Sequence, residues 1–193
     1  MEKARLNSEF VWVIDPLDGT TEFIRGLPYF TISIGLLHQN NPVFGLIHSP
    51  VENSFLYGSG GKNLYLNKTK INPNYKTIQN ISDIKVCISE SEFEDKSFHK
   101  FLSHISSKNI SIIGSVAYKL SLIAQGKSHL MLSNRSKADW DIAGGAALFD
   151  NKSLSLLDKQ WNKIKLNKKS FLSNGIIAGN HSAVEIYKKF FKD

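Results

Sequence analysis

The chain has 193 residues, 41% of them hydrophobic, which is enough for one sizeable core, and it carries a formal net charge of +7. No run of 18 apolar residues occurs, the charged start MEKARLNSEF lacks the apolar stretch of a secretory signal, and the single cysteine, Cys87, cannot form an internal disulfide. A membrane span, a secreted disulfide scaffold and a catalytic thiol are therefore not expected, and the expected setting is cytoplasmic.

The 24 basic residues include only three arginines (Arg5, Arg25 and Arg135), and the lysines are scattered, densest between Lys152 and Lys192. They read as a solvated surface that steers a phosphorylated substrate at most. Nucleic-acid readers lean on arginine, and no reader motif occurs, so no nucleic-acid partner is expected.

In chain order, Phe10 to Ile14 is a short apolar run of strand type, ended by Asp15-Pro16. Thr20 or Thr21 starts a short helix with Glu22 near its positive end. Tyr29 to Leu37 alternates as a strand, Asn40-Asn41-Pro42 is a turn, and strands follow at Val43 to His48, Ser54 to Gly58 and Asn63 to Leu66. Gly60-Gly61 fits a hairpin. Residues 67–82 are polar and read as a connection.

From residue 84 the pattern changes. Ile84 to Ser89 is a strand. Glu94 to Ile105 is a helix with Phe98, Phe101, Leu102 and Ile105 on one face. Ile110 to Ile113 is a strand ending at Gly114-Ser115, and Val116 to Gln125 is a helix stopped by Gly126. His129 to Leu132 and Gly175 to Ala178 are strands. Asp139 to Phe149 is a small-residue-rich helix, and His181 to Phe191 is a terminal helix. The expected fold class is α/β in layers. A strand meander over residues 1–80 is followed by an α/β lobe over residues 81–193, together one unit.

Three constellations can carry chemistry. Asp15-Pro16-Leu17-Asp18-Gly19-Thr20 presents two carboxylates three residues apart. Pro16 biases Asp15 towards extended backbone, Gly19 permits a close approach or positive φ, and the Leu17 carbonyl converges with both acids. That is an oxygen donor set of the kind Mg²⁺ takes, and the Gly19 and Thr20 amides at a helix start can hold a phosphate. The plain alternative is a pair of ordinary turns. Asp139-Trp140-Asp141 offers either helix caps or a third carboxylate aimed at the same point, with Trp140 packing. Gly114-Ser115 offers either a cap or a substrate contact. The six histidines show no metal-ligand spacing.

At these residues the sequence resembles a known family. WVIDPLDGTTEF is similar to the metal-binding signature of the inositol monophosphatase superfamily, and WDIAGG to its second signature. Between them, GSVAYKLSLIAQGKSHLML is similar to the family's Gly-Ser, helix and short strand. The resemblance implies a Mg²⁺-dependent, lithium-sensitive phosphomonoesterase with the sugar-phosphatase type of layered fold. It also implies roles. Asp15, Asp18, Asp141 and the Leu17 carbonyl hold metal, with Asp15 bridging two ions. Thr20 orients the attacking water. Leu17, Asp18, Gly19 and Thr20 hold the phosphate, and Gly114, Ser115 and Asp141 lie by the rest of the substrate. The implied partner is a small phosphorylated metabolite.

Glu22-Phe23-Ile24-Arg25 is more similar to 3′(2′),5′-bisphosphate nucleotidases, which convert adenosine 3′,5′-bisphosphate to AMP and phosphate. Gly26-Leu27-Pro28-Tyr29-Phe30 is more similar to inositol enzymes. Asn134 and Arg135 stand where many inositol enzymes carry an acid. The nucleotidase is the first expectation, and an inositol or other sugar phosphatase the alternative.

The family pattern also has an upstream helical segment with a Glu-Glu turn that supplies a metal ligand. Only 14 residues precede Asp15, and Glu2 and Glu9 are the available acids. The expectation is a chain lacking that segment, through a truncated or split gene or a misassigned start. Such a chain is catalytically impaired or non-catalytic, or is completed as a homodimer or by a separate N-terminal fragment. Without that helical cap, an apolar face of the sheet is then expected to be exposed.

Overall fold

The computed structural model describes residues 2–150 and 152–191, with side chains from residue 4 onward. A short helix α1 (Glu2–Asn7) leads into six strands, β1 (Phe10–Asp18), β2 (Thr31–His38), β3 (Asn41–Ser49), β4 (Ser54–Ser59), β5 (Asn63–Leu66) and β6 (Thr69–Ile71), with the one-turn helix α2 (Thr20–Ile24) after β1. The six strands form one antiparallel meander in the order β1-β2-β3-β4-β5-β6. Next come β7 (Val86–Ile88), α3 (Glu90–Phe93), α4 (Lys96–Leu102), β8 (Ile110–Ile112), α5 (Val116–Ala124), β9 (Leu130–Ser133), β10 (Lys137–Ala138), α6 (Asp139–Ala146), β11 (Leu154–Leu157), β12 (Leu172–Ser173), β13 (Ile176–Asn180) and α7 (His181–Phe190). A second, mixed sheet runs β11-β13-β9-β7-β8, parallel only where β7 meets β8 and β9.

The molecule is layered as sheet, helices, sheet, helices. The period of two along each strand sorts side chains between layers. In β2, Thr31, Ser33, Gly35 and Leu37 are buried on the inner face. That face meets α5 and α6, and Leu37, Ile47 and Leu56 of the meander join Leu120, Ile142, Met131 and Ala178 in one core cluster. On the far side of the second sheet, Val86, Ile88, Leu130 and Leu132 pack with Phe98, Phe101 and Leu102 of α4 and Val184 and Tyr187 of α7. Burying each such side chain contributes about 1.5–3 kcal/mol. Among the described residues no helix is long and apolar enough to cross a membrane.

The seat of α6 is set by size. Its Gly144 and Ala143 lie directly on β2 and β3, where the facing positions are equally small. A Cβ added at Gly45 would sit 2.0 Å from the Gly144 carbonyl oxygen, so backbone rests against backbone. This close approach carries the first turn of α6, with Asp141, down to the end of β1.

Several elements differ from the sequence expectation. β1 does not stop at Asp15-Pro16 but runs on to Asp18. It is an edge strand, so Pro16 breaks no ladder on its outer side, and a register shift between Asp15 and Asp18 absorbs the proline. The turn expected at Asn40-Asn41-Pro42 lies one residue earlier. Gln39 and Asn40 take positive φ, and Asn41 and Pro42 already belong to β3. Residues 67–82 contain β6, folded back through Asn67 and Lys68, both at positive φ. The helix expected over Glu94 to Ile105 is the shorter α4, Lys96–Leu102, because Asp95 accepts the Ser97 amide at 2.9 Å and starts it there. The sequence reading missed α1, α3, β10, β11 and β12.

The outer face of the meander carries Phe10, Trp12, Ile14 and Phe55, each between 40% and 59% exposed, beside Phe44 and Tyr57. A contiguous apolar face of this kind marks an association surface or an aggregation liability.

If the Gly45–Gly144 contact seats α6, Gly45→Ala lowers unfolding stability by about 2 kcal/mol or more, read from the urea midpoint. A Gly45→Ala protein as stable as wild type would show that the helix is seated by other contacts.

Candidate active site

The strand end, two helix starts and one turn converge at a single point. Asp15 leaves β1 where the ladder slips, and its Oδ1 accepts the Leu17 amide at 2.9 Å, fixing the carboxylate across the Pro16 bend. Asp18 closes the strand and is 7% exposed. Its Oδ2 accepts the Ser115 hydroxyl at 2.5 Å and the Ala117 amide at 2.6 Å, both from the first turn of α5. Asp141 sits in the first turn of α6, and its Oδ2 accepts the Ala138 amide at 2.9 Å.

One carboxylate oxygen from each of Asp15, Asp18 and Asp141 lies within 4.8 Å of the other two. The three acids singled out in the sequence are thus brought together. Asp139 is not among them. Its Oδ2 accepts the Asn167 amide at 2.7 Å and anchors the segment that α1 also reaches through Arg5.

The charges are poorly compensated. Burial first, and then Asp141 and Asp15 nearby, push the Asp18 carboxyl up to about 7, against the opposing pull of its Ser115 and Ala117 hydrogen bonds. Asp141 is also raised, by burial first and then by Asp15, and the Ala138 amide pulls the other way. Among the described residues no lysine or arginine side chain hydrogen-bonds any of the three. Three hard carboxylate donors held together without a cationic partner suit a divalent cation such as Mg²⁺.

Around the acids the turn is tightly determined. Gly19 has φ +87°, and a Cβ there would lie 2.8 Å from the Tyr29 carbonyl oxygen and 3.1 Å from Ser115 Cβ. No other residue meets both demands. The Thr20 hydroxyl donates to the Leu17 carbonyl at 3.1 Å, so its oxygen keeps acceptor capacity. Gly114 lies against the Glu22 carboxylate, where a Cβ would clash.

Ser115 fulfils the capping reading, since its Oγ accepts the Tyr118 amide at 3.0 Å, yet it also donates to Asp18. Its single proton is committed to Asp18, so the Thr31 hydroxyl, 3.2 Å away, is the donor in their contact.

Of the upstream acids, Glu9 lies beyond the opposite end of β1, paired with His38 at 3.1 Å and about 20 Å along the strand from Asp15. The Glu2 side chain lies outside the described residues. None of the six histidines joins the acids. Cys87 is buried, which pushes its thiol up to about 11 and leaves it inert. Sequence reasoning missed Thr31, the Ala117 amide and Lys119. The alternation of β2 places Thr31 on the inner face and could have found it. Nothing in the pattern marks a lysine in a helix as buried.

With this geometry in view, similarity to known proteins is informative. The sequence model of the inositol monophosphatase family matches residues 1–187. A Thermotoga maritima protein named fructose-1,6-bisphosphatase/inositol-1-monophosphatase is 28% identical over 170 residues, covering 86% of this chain and 64% of that protein. The 3′(2′),5′-bisphosphate nucleotidase CysQ of Salmonella typhimurium is 33% identical over 140 residues, covering 71% of this chain and 54% of that one. Inositol monophosphatase II of Staphylococcus aureus superposes with a TM-score of 0.81 at 20% identity, covering 94% of this chain and 66% of that one, and shares the fold. The chain spans between half and two-thirds of the length of these curated relatives.

The raised Asp18 carboxyl has a consequence for stability. Its folded value of about 7 exceeds the ordinary 3.8, so between those values the folded state holds more protons than the unfolded one. Stability therefore falls as pH rises through that window, by up to about 4 kcal/mol at 1.36 kcal/mol per pH unit. Urea unfolding in a chelator should show a lower midpoint at pH 7.5 than at pH 5. Asp18→Asn should remove most of that difference, and Mg²⁺ should restore the midpoint at pH 7.5. A flat profile in wild type would contradict the uncompensated charge.

Proposed function

Because the chain belongs to the inositol monophosphatase family, we propose that it hydrolyses small phosphomonoesters with the aid of a divalent cation, Mg²⁺ in the first instance. The observation that carries this reading is the convergence of Asp15, Asp18 and Asp141 beside the Gly19 turn. Residues 1–80 and 81–193 act as one unit in it. The former supplies Asp15 and Asp18, and the latter Asp141, Gly114 and Ser115.

Asp15, Asp18, Asp141 and the Leu17 carbonyl are the residues that would hold Mg²⁺, which when bound neutralises phosphate charge and acidifies water. The chain's own groups do the rest. The Gly19 and Thr20 amides, at the start of α2, hydrogen-bond phosphoryl oxygens and fix the ester in one orientation. The Thr20 hydroxyl proton is engaged by Leu17, so its oxygen accepts a hydrogen bond from the attacking water, which keeps its protons, and aims the water's lone pair at phosphorus. Ser115 holds Asp18 through its hydroxyl, next to Gly114 on the substrate side of the site. Gly114, lacking a side chain, leaves room for the leaving alcohol next to Glu22.

Within this class we favour a 3′(2′),5′-bisphosphate nucleotide as substrate, acted on in the cytoplasm. Support comes from the Glu22-Phe23-Ile24-Arg25 stretch, which stands at the exposed end of α2 beside the site, and from the likeness to CysQ. Arg25 there pairs with Glu90 at 2.5 Å in an exposed bridge that a second phosphate can open. The second reading is an inositol or other sugar phosphate, favoured by the inositol monophosphatases among the relatives.

Phosphate release from adenosine 3′,5′-bisphosphate and from inositol 1-phosphate, with Mg²⁺ and with lithium added, separates the readings. The first reading predicts preferential turnover of the nucleotide, abolished by a chelator, and a loss of more than about 100-fold in kcat/KM for Asp141→Asn. Preference for inositol phosphate would establish the second. No hydrolysis of either by folded protein with Mg²⁺ present would contradict both and leave a non-catalytic chain.

A further inference from the structure

Lys119 follows Ser115 by four residues, one turn into α5, and its side chain reaches back past the start of the helix. It is 1% exposed in the first half of α5, where an ammonium is costly twice over. It is out of water, and it faces the positive end of its own helix. A surface role is closed to it by burial, and a contact with substrate is closed for the same reason. What it does touch is specific. Its Nζ donates to the Ile113 carbonyl at 2.9 Å and to the Gly114 carbonyl at 3.0 Å.

Those two carbonyls belong to the link between β8 and α5. The Ile113 amide still follows the sheet, donating to the Ile88 carbonyl at 2.8 Å. Directly afterwards the chain turns so that Ser115 can cap α5. The turn leaves the Ile113 carbonyl buried and the Gly114 carbonyl half-buried, beyond the last ladder bond and outside the helix. Left unpaired, each would carry the desolvation penalty of a carbonyl taken out of water. A helical side chain leans towards the N-terminus of its helix, so a long side chain one turn into α5 reaches back over the cap. Lysine has the length and the multiple donors for two diverging carbonyls.

We propose that Lys119 is a positioning residue for the carboxylate site, pinning the Ile113 and Gly114 carbonyls so that the Ser115 hydroxyl and the Ala117 amide meet Asp18 Oδ2. The inference rests on the reading that Asp18 helps hold a divalent cation. The chain of contacts is short: Nζ to the two carbonyls, the carbonyls to the turn, and the turn to two donors at 2.5 and 2.6 Å from a single oxygen. Held this way, Asp18 keeps a carboxylate oxygen within 4.8 Å of oxygens from Asp15 and Asp141. Burial lowers the Lys119 ammonium to about 8, with Asp18 and Glu92 among the groups that oppose the shift, so it remains largely cationic at neutral pH.

The test compares Lys119→Met, which keeps the bulk and removes the donors, with Lys119→Gln, which keeps two amide donors without the charge. In metal-free ¹⁵N-labelled protein, the Ala117 amide proton should lie downfield in wild type and in Lys119→Gln. It should move upfield in Lys119→Met. Titration with Mg²⁺ alone should give a Kd weakened about 10- to 100-fold in Lys119→Met and within about 3-fold of wild type in Lys119→Gln.

An unchanged Ala117 shift and Mg²⁺ affinity in Lys119→Met would overturn the proposal. So would Lys119→Gln falling as far as Lys119→Met, since the residue would then act by charge and not by positioning. Where Lys119→Met does not fold, Lys119→Gln decides alone, wild-type values upholding the proposal and losses overturning it. Wild-type protein that binds no Mg²⁺ would defeat the cation reading itself, and the metal-free Ala117 shift would still judge Lys119.

Discussion

Three carboxylates gathered within 4.8 Å repel one another, and the surrounding structure exists in large part to hold them against that repulsion. Two unit charges 4 Å apart interact by about 4 kcal/mol at an effective dielectric of 20. That is comparable with a sizeable part of a domain's net stability. The acids stay together because each is tied from behind by backbone donors on a different element. Asp15 is tied by Leu17 in the bend of β1, Asp18 by Ala117 in α5, and Asp141 by Ala138 at the start of α6.

The layering makes those ties possible. A meander sheet alone would deliver only the two acids of its edge strand. The second sheet ends at the turn before α5, and the helices between the sheets bring α5 and α6 to the same edge. Close packing of α6 on β2 and β3 depends on small residues from both sides, so Ala143 and Gly144, with Gly145 against Leu120 of α5, control where Asp141 stands. Packing and electrostatics are thus one problem here. A change that lifts α6 from the sheet also opens the carboxylate cluster.

Much of this was legible in the sequence, for reasons that can be named. The alternation of YFTISIGLL and the turn residues of the meander gave β2 to β5 within a residue or two. Asp15 and Asp18 stood out as two acids three residues apart in a turn after a strand, and Asp141 through the likeness of WDIAGG to a family signature. Pro16 misled, because its effect depends on whether β1 is an edge strand, and strand order is not a local property. Asn67 and Lys68 hid a hairpin because lysine at positive φ is unusual. Asp139 and Asp141 were not separable from spacing alone, since which one faces the sheet depends on the seating of α6. Lys119 was invisible for the opposite reason: a lysine in an amphipathic helix is normally solvated, and only the fold shows that its helix lies between two sheets.

The central claim is that Asp15, Asp18 and Asp141 together form a divalent-cation site. Its most direct test is an anomalous-difference map from crystals of this chain soaked in Mn²⁺, a scatterer that takes the same oxygen ligands as Mg²⁺. The account predicts a peak at coordination distance from carboxylate oxygens of all three residues, lost in Asp18→Asn crystals. A map with no peak at these acids, or with ions only at other surface carboxylates, would contradict it.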